Sequence, residues 1–344
     1  MRKRLTILLT AVLAAAALTA YLVATGSARP TGSGSLTIYS GQHPETVSAI
    51  VAAFEKKTGI NVSVRYDDEG SLVAQIEQEG SHSRADVFIT ENSPPLEALV
   101  ERGLLARVDA STIAKTSAKY SSPQRLWAAV SARVSTIVYN TGALKASQLP
   151  HSVLDLANPK WKGKLALAPT ETDFQPIVTA VELRYGKARA LKWLQGVKAN
   201  ASGHIYPDNE ALLSQLNSGQ GELGVVNHYY WYRLRDEIGA SKMHTAQSFF
   251  ADGDPGYVVD VSGAGILESS SHQAEAQKFL AFLVSPQAQQ IIAHDESFEY
   301  PLGSGVVSAR GLPPFSRLKP DPITVEELGD GAAAIGLLRA VELL

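Results

Sequence analysis

The stretch Asn227-His228-Tyr229-Tyr230-Trp231-Tyr232 places three tyrosines and one tryptophan within six residues, in a chain with only 7% aromatic residues. It follows the apolar residues 223–226, which are typical of a buried strand. It leads into a segment of helical composition that ends at Gly239, and glycine commonly ends helices. The pattern predicts that the tyrosines lie at a strand-to-helix junction, which is where open α/β sheets bind ligands.

Two adjacent phenols at such a junction suggest a metal chemistry. A free tyrosine has a pKa of about 10 and is protonated at neutral pH, so only a hard, highly charged cation readily holds phenolate as a ligand. Ferric iron is the commonest such cation, and tyrosine also ligates haem iron. Aromatic runs are more often packing, or a platform on which a sugar or another organic ligand stacks. From this stretch alone, both interpretations stay open.

The composition excludes several classes of function. The 344 residues carry a net charge of −3, which gives no basis for nucleic-acid binding. The chain has no cysteine, and this rules out disulfides, thiolate metal sites, cysteine nucleophiles and a lipid-modified N-terminal cysteine. A chain of this length is sufficient for two domains with filled cores.

The N-terminus has the pattern of an export signal. Met1-Arg2-Lys3-Arg4 is basic, residues 5–24 are uncharged and mostly apolar, and Gly26-Ser27-Ala28 supplies small residues suited to cleavage. Residues 1–28 are predicted to be either a signal peptide or an N-terminal membrane anchor, and the sequence does not decide between them. Residues 29–35 are predicted to be a linker. The rest of the chain is then expected to lie outside the cytoplasmic membrane.

Strand and helix patterns alternate along the exported part, which predicts an α/β fold with doubly wound sheets. Residues 127–139 read as one long extended segment, and residues 257–261 as a second. Two such crossings imply two lobes, a two-strand hinge and a cleft between the lobes. The predicted division gives residues 36–133 and 260–310 to lobe 1, and residues 134–259 and 311–344 to lobe 2.

Two segments that follow predicted strands have the residue pattern of helices. Val47, Ile50, Val51 and Phe54 recur at helical spacing before Gly59, so a helix is predicted to end at that glycine. In a second helix, the predicted buried stripe is Leu96, Leu99 and Val100. Ser93 precedes Pro94-Pro95 and is predicted to be the N-cap of that helix.

Three predicted loops leave strands toward the cleft and carry residues that can bind a metal, namely His43, Glu91, and Tyr229 with Tyr230. Each has an ordinary explanation by itself, such as a solvated histidine or a carboxylate at a helix start, and His228 could simply be exposed. Together, one carboxylate and two phenolates would neutralise a trivalent cation. Two positions of an octahedron would then be open for water or an anion.

Several segments of the chain resemble a known family, the ferric-iron-binding proteins that serve bacterial ABC importers. The segments are Tyr39-Ser40-Gly41-Gln42-His43, Ala85-Asp86-Val87-Phe88-Ile89-Thr90-Glu91, Pro159-Lys160-Trp161-Lys162-Gly163-Lys164, Asn227-His228-Tyr229-Tyr230-Trp231-Tyr232, Asp254-Pro255-Gly256 and Gln273-Ala274-Glu275-Ala276-Gln277-Lys278-Phe279. The resemblance runs over about residues 36–307. It implies the two-lobed class II periplasmic binding protein fold.

The resemblance also implies roles for individual residues. The positions that match the family's Fe(III) ligands are His43, Glu91, Tyr229 and Tyr230. The positions that match residues holding a synergistic anion, carbonate or phosphate, are Asn209 and Asn227.

One turn departs from the family pattern. Where some members have a small Ser-Gly-Ala turn that cradles phosphate, this chain has Glu171-Thr172-Asp173. Helix N-termini attract anions, but two carboxylates would repel phosphate or occupy the free N–H groups, with Thr170 and Asp173 spaced like a capping box. We therefore expect weaker dependence on phosphate, with carbonate, water or one of these carboxylates in its place. Alternatively, Glu171 points to solvent and the backbone of Thr172 still binds the anion.

The sequence thus predicts an extracytoplasmic Fe(III)-binding protein, on the periplasmic or outer face of the cytoplasmic membrane, that closes its cleft on the metal and delivers it to an ABC permease. A monomer is expected. The alternative is a substrate-binding protein for a thiamine-like, polyamine-like or phosphate-ester-like solute, in which the aromatic residues stack on the ligand. An enzyme is not expected, because the sequence lacks a Gly-x-Ser-x-Gly elbow, a His-Glu-x-x-His motif, a phosphate-binding loop and a dinucleotide fingerprint.

Overall fold

The computed structural model of the protein describes residues 34–303 and 305–344, and every structural statement below refers to these residues. The strands, in chain order, are β1 Ser35–Ser40, β2 Asn61–Tyr66, β3 Val87–Thr90, β4 Leu105–Ala106, β5 Trp127–Asn140, β6 Leu165–Ala166, β7 Leu223–Asn227, β8 Thr245–Ser248, β9 Val259–Leu267 and β10 Tyr300–Pro301.

Helices connect most of these strands and complete the α/β alternation. They are α1 Pro44–Thr58, α2 Glu69–Glu79, α3 Pro94–Glu101, α4 Ala110–Ile113, α5 Gln175–Tyr185, α6 Lys187–Asn200, α7 Asn209–Asn217, α8 His228–Ile238, α9 Gln273–Leu283, α10 Pro286–His294, α11 Val325–Leu328 and α12 Ala332–Ala340. A short 3-10 turn, Thr172–Phe174, leads into α5.

The strands form one mixed sheet in the order β2-β1-β3-β9-β5-β7-β6. The pairs β1–β2, β1–β3 and β6–β7 are parallel, whereas β9 runs antiparallel to β3 and to β5. Short strands β4, β8 and β10 pair with β9 or β5 beside this path. The sheet therefore has a parallel part at each end, and antiparallel strands lie between the two parts.

The long strand β5 belongs to both parts of the sheet. Its first half pairs with β9, from Trp127 opposite Gly265 to Val134 opposite Val259, and its second half pairs with β7, from Ser135 opposite Asn227 onward. Every residue of β5 is buried, as expected for a central strand covered on both faces. The first predicted extended segment is confirmed as a strand. The second corresponds to the start of β9, two residues later than predicted.

Apolar stripes of the helices pack on this sheet as the sequence predicts. In α1, the residues Val47, Ile50, Val51 and Phe54 are buried, and the helix ends at Gly59, whose φ of 71° is the left-handed conformation that favours glycine. The helix α3 follows its predicted stripe less closely, because Leu96 and Leu99 are fully buried but Val100 is only half-buried.

Ser93 precedes α3 but does not cap it. Its side chain makes no hydrogen bond to the helix, and its hydroxyl instead donates to Oδ1 of Asp260 at 2.7 Å. Ser93 therefore occupies the predicted N-cap position, but its side chain does not supply the cap. The physical reason is the buried carboxylate of Asp260, which competes for the hydroxyl and which local sequence cannot reveal.

The predicted signal peptide or anchor, residues 1–28, lies outside the described residues, as do linker residues 29–33. Ser35, the last predicted linker residue, is already the first residue of β1 and pairs with Asn61. Within the described ranges, no helix combines the length and the apolar character needed to cross a membrane. The lobe boundaries predicted above stay a prediction.

Candidate metal centre

Three strand ends position the four candidate ligands. His43 follows β1 and is the N-cap residue of α1, and Glu91 comes directly after β3. Because β1 and β3 are parallel neighbours, their carboxyl ends lie at the same edge of the sheet. Tyr229 and Tyr230 occupy the first turn of α8, which begins immediately after β7. The predicted strand-to-helix junction is confirmed.

The four candidate ligands form one contiguous cluster. Nδ1 of His43 lies 2.9 Å from Oε1 of Glu91. The His43 ring meets the Tyr229 ring edge-on with 5.3 Å between centroids, and the rings of Tyr229 and Tyr230 are 4.3 Å apart. Both tyrosines are buried. In the described part of the chain, no three His, Cys, Asp or Glu side chains group as a metal site, so a metal here would need the tyrosine oxygens.

Asp173 joins this cluster from the turn before α5. Its Oδ2 accepts hydrogen bonds from the Tyr229 hydroxyl at 3.4 Å and from the Asn209 side-chain amide at 3.1 Å. Among the described residues, Oδ1 of Asp173 is buried without a hydrogen-bond partner, and so is Nε2 of His43, which lies 3.6 Å from Oε1 of Glu299. Because an unsatisfied buried polar atom costs about 1–3 kcal/mol, such atoms are rare. Two of them beside a phenol pair are suitable donor atoms for a cation.

The phenols hold their protons strongly in the metal-free protein. Burial, reinforced by the charge of Asp173, raises the pKa of Tyr229 and the pKa of Tyr230 well above the usual range for tyrosine. Burial also raises the pKa of the Asp173 carboxyl to about 6. A cation that uses these oxygens must therefore displace phenolic protons.

Glu91 is ionised although it is buried. Burial acts to raise its pKa, but the charges of His43 and Arg133 outweigh burial and lower the pKa to about 2. For His43 burial acts to lower the pKa, and the contact with Glu91 reverses the direction, so that the pKa of His43 is raised. This pair therefore supplies a carboxylate that is charged before any metal arrives.

Arg133 is a residue of this site that sequence reasoning missed. It lies in the middle of β5 with a fully buried side chain, and its Nη1 is 3.2 Å from Oε2 of Glu91. Nη2 pairs with Glu299, and the guanidinium lies 5.4 Å from the centroid of the Tyr229 ring. The available signal was one charged residue inside a strand of apolar and small residues, since a buried arginine requires carboxylate partners.

Gln42 and Glu299 extend the same network behind His43. The side-chain amide of Gln42 donates to Oε1 of Glu299 at 3.3 Å, and its carbonyl accepts from the backbone N–H of His43 at 2.7 Å. Ser131 also donates to Glu299. The histidine is thus held through its backbone and its ring. Sequence reasoning singled out neither Gln42 nor Glu299 as a site residue, because Glu299 lies 256 positions after His43.

The turn at residues 170–173 does not form the predicted capping box. The Thr170 hydroxyl donates to the Pro207 carbonyl instead, at 2.8 Å, and Asp173 faces the phenols. Glu171 is half-buried, not directed fully to solvent. Burial and the charge of Asp173 raise the pKa of Glu171 to about 8, and the backbone N–H of Asn209 donates to its carboxylate. The carboxylate of Glu171 therefore occupies a donor at the start of α7.

Two residues beside the tyrosine pair, His228 and Asn227, are buried. His228 is buried, contrary to simple exposure. Its Nε2 lies 2.8 Å from the Phe298 carbonyl, its Nδ1 accepts from the Val134 amide, and burial lowers its pKa to about 3. Asn227, the last residue of β7, is buried, and its side chain makes no hydrogen bond to a candidate ligand in the described structure. Its predicted anion role stays a prediction.

A polar cavity of about 340 Å³ has His43 in its lining. The charged residues that line it, besides His43, are Glu45, Arg233, Asp236, Glu237, Glu296 and Arg310. Four carboxylates against two guanidinium groups give the lining an acidic character, which favours the approach of a cation.

The sheet order, with candidate ligands at the ends of its strands, defines a periplasmic binding protein of class II, as the sequence predicted. The chain belongs to the family of bacterial extracellular solute-binding proteins, whose family model matches residues 36–295. Membership of a binding-protein family also confirms that the chain is not an enzyme.

Similar proteins have names that refer to iron. The chain is 36% identical to the Fe(3+)-binding periplasmic protein of Serratia marcescens, over 89% of this chain and 90% of the relative. It is 37% identical to the major ferric iron-binding protein of Neisseria meningitidis serogroup B, over 88% and 91%. The structure of iron-bound HitA from Pseudomonas aeruginosa superposes with a TM-score of 0.85 at 38% identity, covering 90% of this chain and 99% of that one.

Proposed function

We propose that this chain is an extracytoplasmic Fe(III)-binding protein that delivers iron to an ABC permease. The observation that carries the proposal is the buried pair Tyr229 and Tyr230, in which the Tyr229 ring contacts His43 and His43 in turn contacts Glu91. Two phenolates and one carboxylate neutralise three positive charges, and the imidazole adds a neutral ligand. The iron-related names of the relatives support the same function.

The raised pKa values of the phenols give the site its selectivity. Displacing two strongly held protons requires a cation that gains much from phenolate, as hard trivalent ions do. Divalent ions of the same size gain less from each phenolate oxygen, because the Coulomb attraction scales with charge. The site therefore retains Fe(III) against more abundant divalent metals.

Asp173 takes the place of an exchangeable anion in this proposal. Asn209, which the family resemblance assigns to the anion, donates to the Asp173 carboxylate, and that carboxylate already contacts Tyr229. The carboxyl group of Glu171 already accepts the backbone N–H of Asn209 at the start of α7, so this donor is not free for phosphate. Iron binding then needs no added phosphate, and carbonate or water completes the shell where a position is free.

Transport follows from the expected hinge. Tyr229, Tyr230 and Asp173 belong to predicted lobe 2, and His43 and Glu91 to predicted lobe 1. A metal that bridges them binds the closed state more tightly than the open state and so shifts the population toward closure. The closed form, acting as a monomer in the periplasm or at the outer face of the cytoplasmic membrane, docks on the permease.

The direct test is a titration of the metal-free protein with ferric nitrilotriacetate, followed by the visible phenolate-to-iron absorption band. We expect one Fe(III) per chain and a band that reaches its full intensity at that ratio. Calorimetry of the metal-free protein against thiamine, spermidine and a sugar phosphate tests the organic-solute alternative. Absence of the band together with tight binding of one of these solutes would overturn the proposed function.

A further inference from the structure

A hydrogen-bonded contact outside the candidate ligand set connects the two sides of the site. It consists of Glu69, the first residue of α2, Asn92, which follows Glu91, and Thr172, in the turn before Asp173. Glu69 and Asn92 belong to predicted lobe 1 and Thr172 to predicted lobe 2. We call this set the 69–92–172 contact.

Glu69 fixes the turn that carries Glu91. Its Oε1 accepts from the backbone N–H of Glu91 at 2.5 Å and from the backbone N–H of Asn92 at 2.9 Å. Its side chain also packs on the loop before His43, because a Cβ added at Gly41 would lie only 2.6 Å from Cγ of Glu69. One buried carboxylate thus holds both loops that supply the candidate ligands of this side.

Thr172 docks on this carboxylate from the opposite side. The Thr172 hydroxyl donates to Oε2 of Glu69 at 3.3 Å and accepts from the side-chain amide of Asn92 at 2.9 Å. The same amide donates to Oε2 of Glu69 at 3.2 Å. The three side chains therefore close a ring of hydrogen bonds in which the threonine hydroxyl serves as both donor and acceptor.

The contact lies beside the candidate ligands without using them. Glu69 is directed to two backbone amides, one side-chain amide and one hydroxyl, and none of its contacts is with a candidate metal-binding atom. However, Glu69 adjoins the Glu91 turn, and Thr172 is followed directly by Asp173. Forming the contact therefore places a candidate ligand on each side at the same time.

We propose that the 69–92–172 contact is a latch of the closed state, in which Glu69 positions Glu91 and the Thr172 hydroxyl holds the two sides together. The latch rests on the proposed iron-binding function and adds to it a determinant of iron release. The latch makes no bond to the metal, so it leaves the coordination of the metal unchanged. Because it holds the two sides together, it controls how long the cleft stays closed.

The test is the rate at which an excess of a strong chelator removes Fe(III) from the loaded protein. Thr172→Val keeps the shape of the side chain and deletes both hydrogen bonds of its hydroxyl, so release should be about tenfold faster, the scale of one to two hydrogen bonds. The absorption band should keep its position and intensity, since no ligand is changed. Thr172→Ser retains the hydroxyl and should restore the slow rate.

A matched control lies two residues away. Thr170→Val removes a hydroxyl from the same turn that bonds to the Pro207 carbonyl and not to Glu69, and it should release iron at the wild-type rate. Glu69→Gln replaces one accepting oxygen by an NH₂ group, which faces other hydrogen-bond donors. Release of iron from this variant should therefore also be faster. If Glu69 and Thr172 act as one unit, adding Thr172→Val to Glu69→Gln should produce little further acceleration.

The outcomes separate the latch from the proposed function. Release from Thr172→Val at the wild-type rate, or equally fast release from Thr172→Ser and Thr172→Val, overturns the latch while the wild-type band still supports iron binding. A wild-type protein that develops no band overturns the proposed function instead, and the latch with it.

Discussion

Nη1 of Arg133 lies 3.2 Å from Oε2 of Glu91, so a candidate iron ligand is paired with a buried cation in the protein itself. The same guanidinium pairs with Glu299 through its other nitrogen. The charge of Arg133 acts to lower the pKa of both carboxylates against the effect of burial; with His43 it lowers the pKa of Glu91 to about 2, whereas burial still raises the pKa of Glu299. Iron bound at Glu91 would share this carboxylate with the arginine.

Replacing Arg133 by methionine should strongly destabilise the metal-free protein. The substitution leaves Glu299, and in part Glu91, buried without a cation, and breaking a buried ion pair from one side typically costs about 3–5 kcal/mol. Urea unfolding followed by circular dichroism measures the loss. Arg107→Met, at an exposed position, is the matched control and should change the stability little. Equal stabilities of the two variants would show that Arg133 has no such role.

Iron binding should tighten steeply with pH. The pKa values of Tyr229 and Tyr230 are raised above the usual range, so the metal-free site holds both phenolic protons at neutral pH and the loaded site holds neither. The loaded state binds fewer protons, and raising the pH therefore favours it. The two phenols make log affinity rise by about two per pH unit, and His43, whose pKa is also raised, adds up to one more where its ring is protonated in the metal-free protein. Below a pH of about 6, the carboxyl of Asp173 adds a further proton to the exchange.

Competition with a chelator of known proton affinity, read from the absorption band between pH 5 and pH 8 as a rough working range, measures this slope. The slope must be corrected for the protons of the chelator. A corrected slope near zero would mean that no phenol loses its proton on binding, which contradicts phenolate ligation.

Asp173→Asn should make iron binding depend on an added anion. The wild-type protein is expected to bind Fe(III) equally well with and without phosphate, because its own carboxylate replaces the anion. In the variant the charged ligand is lost, and affinity should fall by more than the roughly 10–100-fold that follows loss of an outer-shell partner. Phosphate or carbonate should recover part of it. Ferric titrations of both proteins, with each anion added or removed, make the measurement.

Glu171→Gln is the control for this experiment, since its carboxylate bonds to the backbone of Asn209 and not to a phenol. It should stay independent of phosphate. A large phosphate requirement in the wild-type protein would refute the role given to Asp173.

The sequence predicted those parts of the site that local pattern determines. Tyr229 and Tyr230 follow an apolar strand run directly, and His43 follows another, so strand ends could be located without coordinates. Parallel pairing of β1 with β3 then brings His43 and Glu91 to one edge. Helix ends at residues such as Gly59 are also local, because a left-handed conformation selects glycine.

The parts that were missed depend on contacts between distant residues. Arg133 pairs with Glu299 across 166 positions, and Thr172 reaches Glu69 across 103. The missing side-chain cap at Ser93 has the same origin, since its partner Asp260 is 167 positions away. Burial of charged side chains becomes acceptable only when such partners exist, and a single sequence contains no record of the pairing.

The most direct test of the central claim is the visible absorption spectrum of the iron-loaded tyrosine variants. Tyr232→Phe, which alters the third tyrosine of the motif, serves as the control and should keep the wild-type band. We expect Tyr229→Phe and Tyr230→Phe each to weaken or abolish the phenolate-to-iron band and to bind iron far more weakly, and the double variant to lose the band completely. A band of full intensity in both single variants would contradict phenolate ligation by this pair.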